Sequence, residues 1–185
     1  MTRAWEDLDR LVDAVEARST HLTSTIHGVD HWRAVGATAA SLADASDMAA
    51  ADADEAARPD RELLLLFALL HDSQRIDDGR DLEHGPRAAL FFDELLAAGA
   101  IRLDDARAAV LREAIRDHTN GTLSEQPTIA VCWDADRLLI HRVGFVPKAR
   151  FCSTPEARRR ADASELPDLV GPPTWAEVAA LLGVA

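Results

Sequence analysis

The sequence predicts an all-α protein, a compact bundle of about six helices followed by a proline-rich C-terminal tail. Alanine, leucine, arginine and glutamate, which are all good helix formers, dominate almost the whole chain. No run shows the alternating, β-branched pattern bounded by turn residues that marks a strand. Several segments instead repeat apolar residues every three or four positions, which is the spacing of one helix face.

The first half of the chain contains three predicted helices. The first spans about Ala4 to Ala17 and carries one apolar stripe, and the second runs from near Asp30 to Ser46. The stretch 47–58 is rich in alanine and aspartate and is either a frayed helix end or a loop. A third helix, about Arg61 to Asp72, is apolar all round and is capped by Asp60, so we expect it to be buried on every side.

Three more helices follow a polar segment, Ser73 to Glu83, that is expected to be a loop or lid. Pro86 opens the fourth helix, which Gly99 closes. The fifth runs from about Asp104 to His118 and stops at Asn120-Gly121, a pair typical of a left-handed helix end. The sixth occupies about Ile129 to Val143.

The chain divides into a helical domain, residues 1–146, and a tail, residues 147–185, that is expected to pack on the same domain. One short helix is predicted in the tail, from Thr174 to Leu182, because Thr174 and Glu177 form a capping-box pattern. The division follows a rise in proline content at Pro155, Pro167, Pro172 and Pro173.

Charge and composition exclude several classes of function. The 185 residues carry a net charge of −12 and only one lysine, Lys148, so a nucleic-acid polymer is not an expected partner. The longest apolar run, Leu63 to Leu70, is far short of the roughly 20 residues that span a bilayer. The N-terminus has no signal-peptide pattern, and Cys132 and Cys152 form no disulfide framework. We therefore expect a cytoplasmic protein that has no membrane partner.

An acidic residue lies where the sixth helix should be most apolar. At 100° per residue, Asp136 falls in the centre of the stripe formed by Ile129, Cys132, Trp133, Leu139, Ile140 and Val143. A lone buried carboxylate is costly, so this position calls for a cation. The cation is either a metal ion or a buried arginine. Asp134 points to the opposite side and is assigned a supporting or structural role.

Two histidines and a second aspartate also point inward. His31 shares a helix face with Val35 and Leu42, and His71 lies at the end of the buried third helix, directly before Asp72. A single inward histidine is more often a core residue bonded to a carbonyl group than a ligand. Together, however, two imidazoles and two carboxylates from three helices form a sensible coordination sphere for a metal.

These residues give the chain a resemblance to the HD-domain superfamily of metal-dependent phosphohydrolases. The superfamily orders its ligands as His, His-Asp and a distant Asp, which match His31 in HGVDHWRAV, His71 and Asp72 in LLHDSQR, and Asp136 in WDADRL. The resemblance covers about residues 24–150. It implies an HD-domain-like bundle with catalysis at a metal held by these four residues, and Asp72 is the expected catalytic residue.

The resemblance also raises the question of a second metal. Superfamily members with two metals add two histidines between the HD pair and the last aspartate, and His84 and His118 match that order. They would hold a second ion with Asp72 as a bridge, or else they would bind substrate phosphate around a single metal. The ligands contain nitrogen and oxygen but no thiolate, which suits one or two ions of manganese, iron, zinc, cobalt or nickel.

Other polar residues are candidates for substrate contacts and proton transfer. Arg75, with Arg33 and Arg142 behind it, could bind a substrate phosphate, although each could instead form a surface salt bridge. His27, one helical turn before His31, and Asp77 in the polar loop are predicted to support the ligands or assist proton transfer.

The expected function is hydrolysis of a small phosphorylated substrate, a nucleotide or another phosphate ester, by metal-activated water. Metal binding lowers the pKa of water from about 15.7 towards about 7 and polarises a phosphoryl oxygen. Two further functions are compatible with the same residues. One is that of a mixed-valence diiron oxygenase of the type of myo-inositol oxygenase, which uses a six-ligand set on this fold. The other is that of a non-catalytic module that binds a metal or nucleotide, and for any of the three an oligomer is possible.

Overall fold

A computed structural model describes residues 3–49, 58–120, 122–168 and 171–185 of the chain. All regular secondary structure in these residues is helical, which confirms the all-α prediction. The eight α-helices of the described residues are α1 (Leu8–Glu16), α2 (Val29–Ala49), α3 (Arg61–Leu70), α4 (His84–Ala97), α5 (Asp105–Asp117), α6 (Pro127–Leu138), α7 (Pro155–Ala163) and α8 (Trp175–Leu181).

Side-chain caps explain where several helices begin. Asp60 accepts hydrogen bonds from the backbone N–H groups of Glu62 and Leu63, which confirms its predicted role at the start of α3. The predicted capping box before α8 is also present between Thr174 and Glu177. Asp7 caps α1 in the same way, so this helix begins at Leu8 rather than near position 4.

Two further helix boundaries differ from the predictions, and one helix was not predicted. Helix α4 begins at His84 rather than at Pro86, because a proline is tolerated within the first turn, where N–H groups lack helix partners anyway. Helix α6 ends at Leu138 and continues as a 3-10 turn over Ile140–Val143. Helix α7 was not predicted, although Thr154 caps it and Pro155 takes its first position. Part of the stretch 47–58, which is predicted to be a loop or a frayed helix end, falls in residues 50–57 and so lies outside the described residues. Gly121, at the predicted end of the fifth helix, also lies outside them.

Helix α3 lies at the centre of the bundle, as its apolar sequence predicts. All eight residues from Leu63 to Leu70 are buried, and the helix packs against α1, α2, α5 and α6. Helix α8 packs on α2, where Val178 lies so close to Gly36 that a Cβ atom at position 36 would come within 2.6 Å of it. No helix in the described part of the chain is long and apolar enough to cross a membrane.

Candidate metal centre

The ends of two helices place two histidines in the core. His71 is the C-cap of α3, and His118 is the C-cap of α5. Each turns its Nδ1 back to its own helix: His71 donates to the carbonyl of Ala68 at 3.1 Å, and His118 donates to that of Ile115 at 2.7 Å. Because Nδ1 donates to a carbonyl in both rings, Nε2 is the nitrogen of each imidazole that can bind a cation.

A third histidine enters from the start of α4. His84 donates from Nδ1 to the carbonyl of Asp81, and its Nε2 lies 2.8 Å from the Nε2 of His118. The approach of α4 to α5 depends on Gly85, where a Cβ atom would lie 2.6 Å from the carbonyl oxygen of Arg116. The glycine therefore allows the two imidazoles to meet.

The fourth histidine and the last aspartate come from α2 and α6. The Nε2 of His31 lies 3.3 Å from the Nε2 of His71 and 3.2 Å from Oδ1 of Asp136. His31 therefore connects the end of α3 to the last turn of α6.

Asp72 lies between the two pairs of histidines. Its Oδ1 is 3.0 Å from Nε2 of His84 and 3.6 Å from that of His118, whereas its Oδ2 is 3.7 Å from Nε2 of both His31 and His71. Two sets of three residues can be distinguished, and within each set the ligand atoms all lie within 4.8 Å of one another. We call Asp72, His84 and His118 the inner group, and His31, His71 and Asp72 the outer group.

These buried His and Asp groups could hold a metal ion. His84 and His118 both use Nδ1 as a donor, so their Nε2 atoms, 2.8 Å apart, would repel each other unless a proton or a metal ion lies between them. Two imidazoles at right angles on one ion, each at about 2.1 Å, would have nitrogen atoms about 3 Å apart. The separations of 2.8 Å in the inner group and 3.3 Å in the outer group fit that requirement.

Burial and neighbouring charges set protonation states that suit metal binding. Burial lowers the pKa of His71 to about 3 and lowers the pKa of His31, so both imidazoles are neutral ligands at pH 7. Burial raises the pKa of the Asp72 carboxyl, but the surrounding histidines outweigh it and hold this pKa well below its usual range. Burial lowers the pKa of His118, but its hydrogen bond to Asp72 and the charge of that carboxylate outweigh burial and raise this pKa. A metal ion in the inner group would therefore displace a proton shared between His118 and Asp72.

Asp136 adjoins the outer group but also meets an arginine. Its Oδ1 lies 3.3 Å from Nη2 of Arg142 and 3.2 Å from Nε2 of His31, and it belongs to neither set of mutually close ligand atoms. Burial raises the pKa of its carboxyl, but Arg142 and His31 hold that pKa well below the usual range. The arginine contact that the sequence offered as the alternative is therefore present, whereas the predicted role of Asp136 as a metal ligand stays a prediction.

The arginines predicted to bind substrate have different surroundings. Arg75 donates from Nε to Oδ1 of Asp72 at 3.1 Å and from Nη1 to the carbonyls of Asp77 and Gly79, so it supports the inner group and the loop. Arg33 lies 3.6 Å from Asp30 on the same helix and has a buried Nε without a hydrogen-bond partner. Their contact with substrate stays a prediction.

The residues predicted to support the ligands also differ in position. The Nδ1 of His27 lies 3.0 Å from Oδ1 of Asp78, whereas Asp77 accepts a hydrogen bond from the backbone of Gly79. Asp134 is fully buried and accepts hydrogen bonds from the backbone of Ser153 and Thr154, so it anchors the start of α7 rather than the histidines.

Sequence reasoning missed Asp81 and Gly85 and did not choose Asp78 over Asp77. The carbonyl of Asp81 fixes His84, and its carboxylate pairs with Arg87 and accepts a bond from the backbone of Ile76. The spacing Asp-x-x-His was the only signal of this role in the sequence, and it is a weak one. No local pattern separates Asp77 from Asp78, because both lie in the same polar loop.

Comparisons with protein-family models, with curated proteins and with solved structures found no match. The helical fold and the His/Asp groups are compatible with an HD domain. That compatibility is carried by the residues of this chain alone.

Proposed function

We propose that this protein is a metal-dependent phosphohydrolase of the HD type that acts on a nucleotide or another small phosphate ester. The observation that carries the proposal is Asp72, whose two oxygens each face a different pair of imidazoles in the core. A structural bundle gains nothing from an ionised carboxylate and four histidines at this depth, because burying them costs free energy. A metal-binding role accounts for the whole arrangement.

The donor set favours hydrolysis over a purely structural metal. Structural zinc sites are closed and usually contain thiolates, whereas neither cysteine belongs to the ligand groups of the described residues. A divalent ion held by the outer group, by the inner group or by each of them would lower the pKa of water and polarise a phosphoryl oxygen. The inner group lies deep in the core, whereas the Asp136 side chain keeps 18% of its surface exposed, which places the open side of the centre beside Arg142.

The chain supplies an anion-binding group on this open side. Arg142 is held by a hydrogen bond from its Nε to the carbonyl of Ile26 at 2.9 Å, and its buried Nη1 has no hydrogen-bond partner in the described structure. A guanidinium with an unused donor suits the oxygen atoms of a phosphate. Arg142 is therefore assigned to substrate binding, with Arg33 behind it.

The chain also supplies a proton-transfer group. The carboxylate of Asp78 accepts hydrogen bonds from Ser24 at 2.5 Å and from Nδ1 of His27 at 3.0 Å, which fixes the imidazole. The His27 ring lies edge-on to that of His31, with centroids 6.3 Å apart. Burial lowers the pKa of His27, so its imidazole is neutral at pH 7 and keeps a lone pair on Nε2 while Nδ1 donates to Asp78. His27 lies near the ligands without being one of them, and we assign it to accepting a proton from the attacking water.

The test is phosphate release by protein that has been stripped of metal and reloaded separately with manganese, iron, cobalt, nickel or zinc. Substrates are nucleoside mono-, di- and triphosphates and p-nitrophenyl phosphate. We expect turnover with at least one metal and its loss in Asp72→Asn. The matched control is Asp93→Asn, which removes a carboxylate paired with Arg112 at the surface. Turnover that survives Asp72→Asn, or no turnover with any metal and substrate, would contradict the proposal.

A diiron oxygenase is the second candidate, and the observation that favours it is the position of Asp72 between the two ligand groups, where one carboxylate could bridge two ions. This candidate predicts about two irons per chain and oxygen consumption with an organic substrate. Iron analysis and an oxygen electrode separate the two functions, because hydrolysis consumes no oxygen. Metal binding without either activity would favour the non-catalytic module.

A further inference from the structure

The inner and outer groups differ in how firmly their imidazoles are oriented. Both histidines of the inner group donate from Nδ1 to a carbonyl three residues earlier. In the outer group His71 does the same, but the buried Nδ1 of His31 has no hydrogen-bond partner. A metal-binding histidine that lacks such a partner typically loses about 10–100-fold in metal affinity.

A second difference is the state of the carboxylate beside the outer group. Oδ1 of Asp136 is buried and accepts no hydrogen bond, although Nε2 of His31 and Nη2 of Arg142 lie 3.2 and 3.3 Å away. The guanidinium therefore balances the charge of Asp136 without an aligned donor. A divalent ion bound to this oxygen would have to compete with that positive charge.

Arg142 cannot easily leave this position. Its side chain is only 11% exposed, and its Nε is tied to the carbonyl of Ile26. The arginine beside the inner group is arranged differently, because Arg75 makes an aligned hydrogen bond from Nε to Oδ1 of Asp72. The charge of Arg75 lies as close to Asp72 as that of Arg142 does to Asp136, so the two charges do not distinguish the groups. The difference is that the aligned donor of Arg75 uses one lone pair of Oδ1, leaves the other free and thereby orients Asp72 for an ion, which Arg142 does not do for Asp136.

From these differences we infer that the two ion positions fill in a fixed order, the inner group first and the outer group second, and that Arg142 weakens the second step by acting as a counter-ion for Asp136. The inference rests on the metal-dependent function proposed above. It makes the outer ion the exchangeable one, so that the protein carries one ion at low metal concentration and two only when the metal is abundant.

The experiment is a titration of the metal-free full-length protein with Co²⁺, followed by visible absorption and by calorimetry. We expect two steps whose dissociation constants differ by at least about tenfold. His84→Gln should abolish the tight step, and His31→Gln should abolish the weak one. In Arg142→Gln the weak step should tighten by about tenfold or more, because a positive charge leaves the neighbourhood of Asp136. The tight step should stay within about twofold of the wild-type value.

Two controls separate this effect from a general change in charge or a loss of folding. Arg112→Gln removes a surface arginine paired with Asp93 and should change neither step. Arg142→Lys keeps the positive charge and should leave the second step weak; circular dichroism reports the fold of every variant. An unchanged or weaker second step in folded Arg142→Gln would overturn the inference. So would loss of the weak step in His84→Gln, or binding of a single ion by the wild type.

Phosphate release, measured in parallel, keeps this result distinct from the proposed function. Ordered binding without hydrolysis of any phosphate ester would reject the phosphohydrolase and leave the inferred order intact. If the wild type hydrolyses a phosphate ester but Arg142→Gln leaves the second binding step unchanged, the phosphohydrolase is supported and the inferred order is rejected.

Discussion

The candidate metal centre and the C-terminal segment differ in where their charged side chains lie. Around α3, four imidazoles and Asp72 face one another in the core. In α7 the charged residues lie near the surface and pair along the helix, with Glu156 contacting both Arg159 and Arg160, while α8 packs on α2 through apolar residues. The second pattern is that of a structural element. The first carries a desolvation cost that a bound cation would offset.

The largest effect is expected from a substitution beside the candidate metal centre, and it concerns activity rather than stability. His27→Gln should lower kcat of the proposed hydrolysis by about 10²–10⁴-fold, because the proton-transfer group is lost while the ligands remain. Steady-state kinetics measure the change, and cobalt titration checks that metal affinity is retained. Equal losses in kcat and in metal affinity would show that His27 supports the ligands instead of transferring a proton.

On the structural side, Val178→Ala should destabilise the fold without altering the metal centre. Val178 is fully buried between α8 and α2, and its truncation should lower the free energy of unfolding by about 1.5–3 kcal/mol. Urea unfolding gives the stability, and the cobalt titration should match the wild type. A tenfold change in metal affinity would mean that α8 also positions the ligands.

Gly85→Ala should affect both properties at once. The added methyl group would meet the carbonyl oxygens of Arg116 and Ile115 at 2.6 and 3.0 Å, so α4 must shift away from α5 and carry His84 with it. We expect a loss of about 1–3 kcal/mol in unfolding free energy together with weaker binding of the first ion. The control is Gly79→Ala, whose Cβ atom would approach only the side chain of Asp77. Wild-type binding of the first ion by Gly85→Ala would contradict the role assigned to this glycine.

The smallest effect concerns the surface pairs of α7. Hydrogen bonds from Arg159 and Arg160 lower the pKa of Glu156 from 4.5 to about 2. Because the folded pKa lies below the unfolded one, the stabilisation is present above about pH 4.5 and disappears as the pH falls towards 2. Glu156→Gln should therefore cost only about 0.3–0.5 kcal/mol at pH 7, after solvent screening, and nothing near pH 2. Chemical unfolding of both proteins at several pH values provides the measurement, and a pH-independent difference would exclude this pair as its cause.

The sequence predicted the features that depend on neighbouring residues. The buried character of α3, the Asp60 cap and the Thr174–Glu177 capping box all follow from local propensity and from periodicity along one helix. The inward positions of His31 and His71 follow from the same periodicity, and the structure brings both next to Asp72. The unpredicted α7 also has local signals, a Thr-Pro start, but its polar composition and the surrounding prolines obscured them.

Features that depend on how separate segments of the chain approach one another could not be predicted from local propensity and periodicity. Asp77 and Asp78 occupy equivalent places in the sequence, and only the fold of the loop brings Asp78 to His27. The same holds for Arg142, whose two predicted fates, a phosphate contact and a salt bridge, differ only in what lies opposite its guanidinium.

The sequence by itself thus determined the helical class, several caps and the set of inward-facing ionisable residues, because these follow from interactions within a few positions of the chain. Only the tertiary structure decided that Asp72 lies between two pairs of imidazoles, that Gly85 lets α4 approach α5, and that Arg142 lies against Asp136. Those relations join residues that are distant in the chain. They are fixed by how the helices pack, which periodicity along a single helix does not specify.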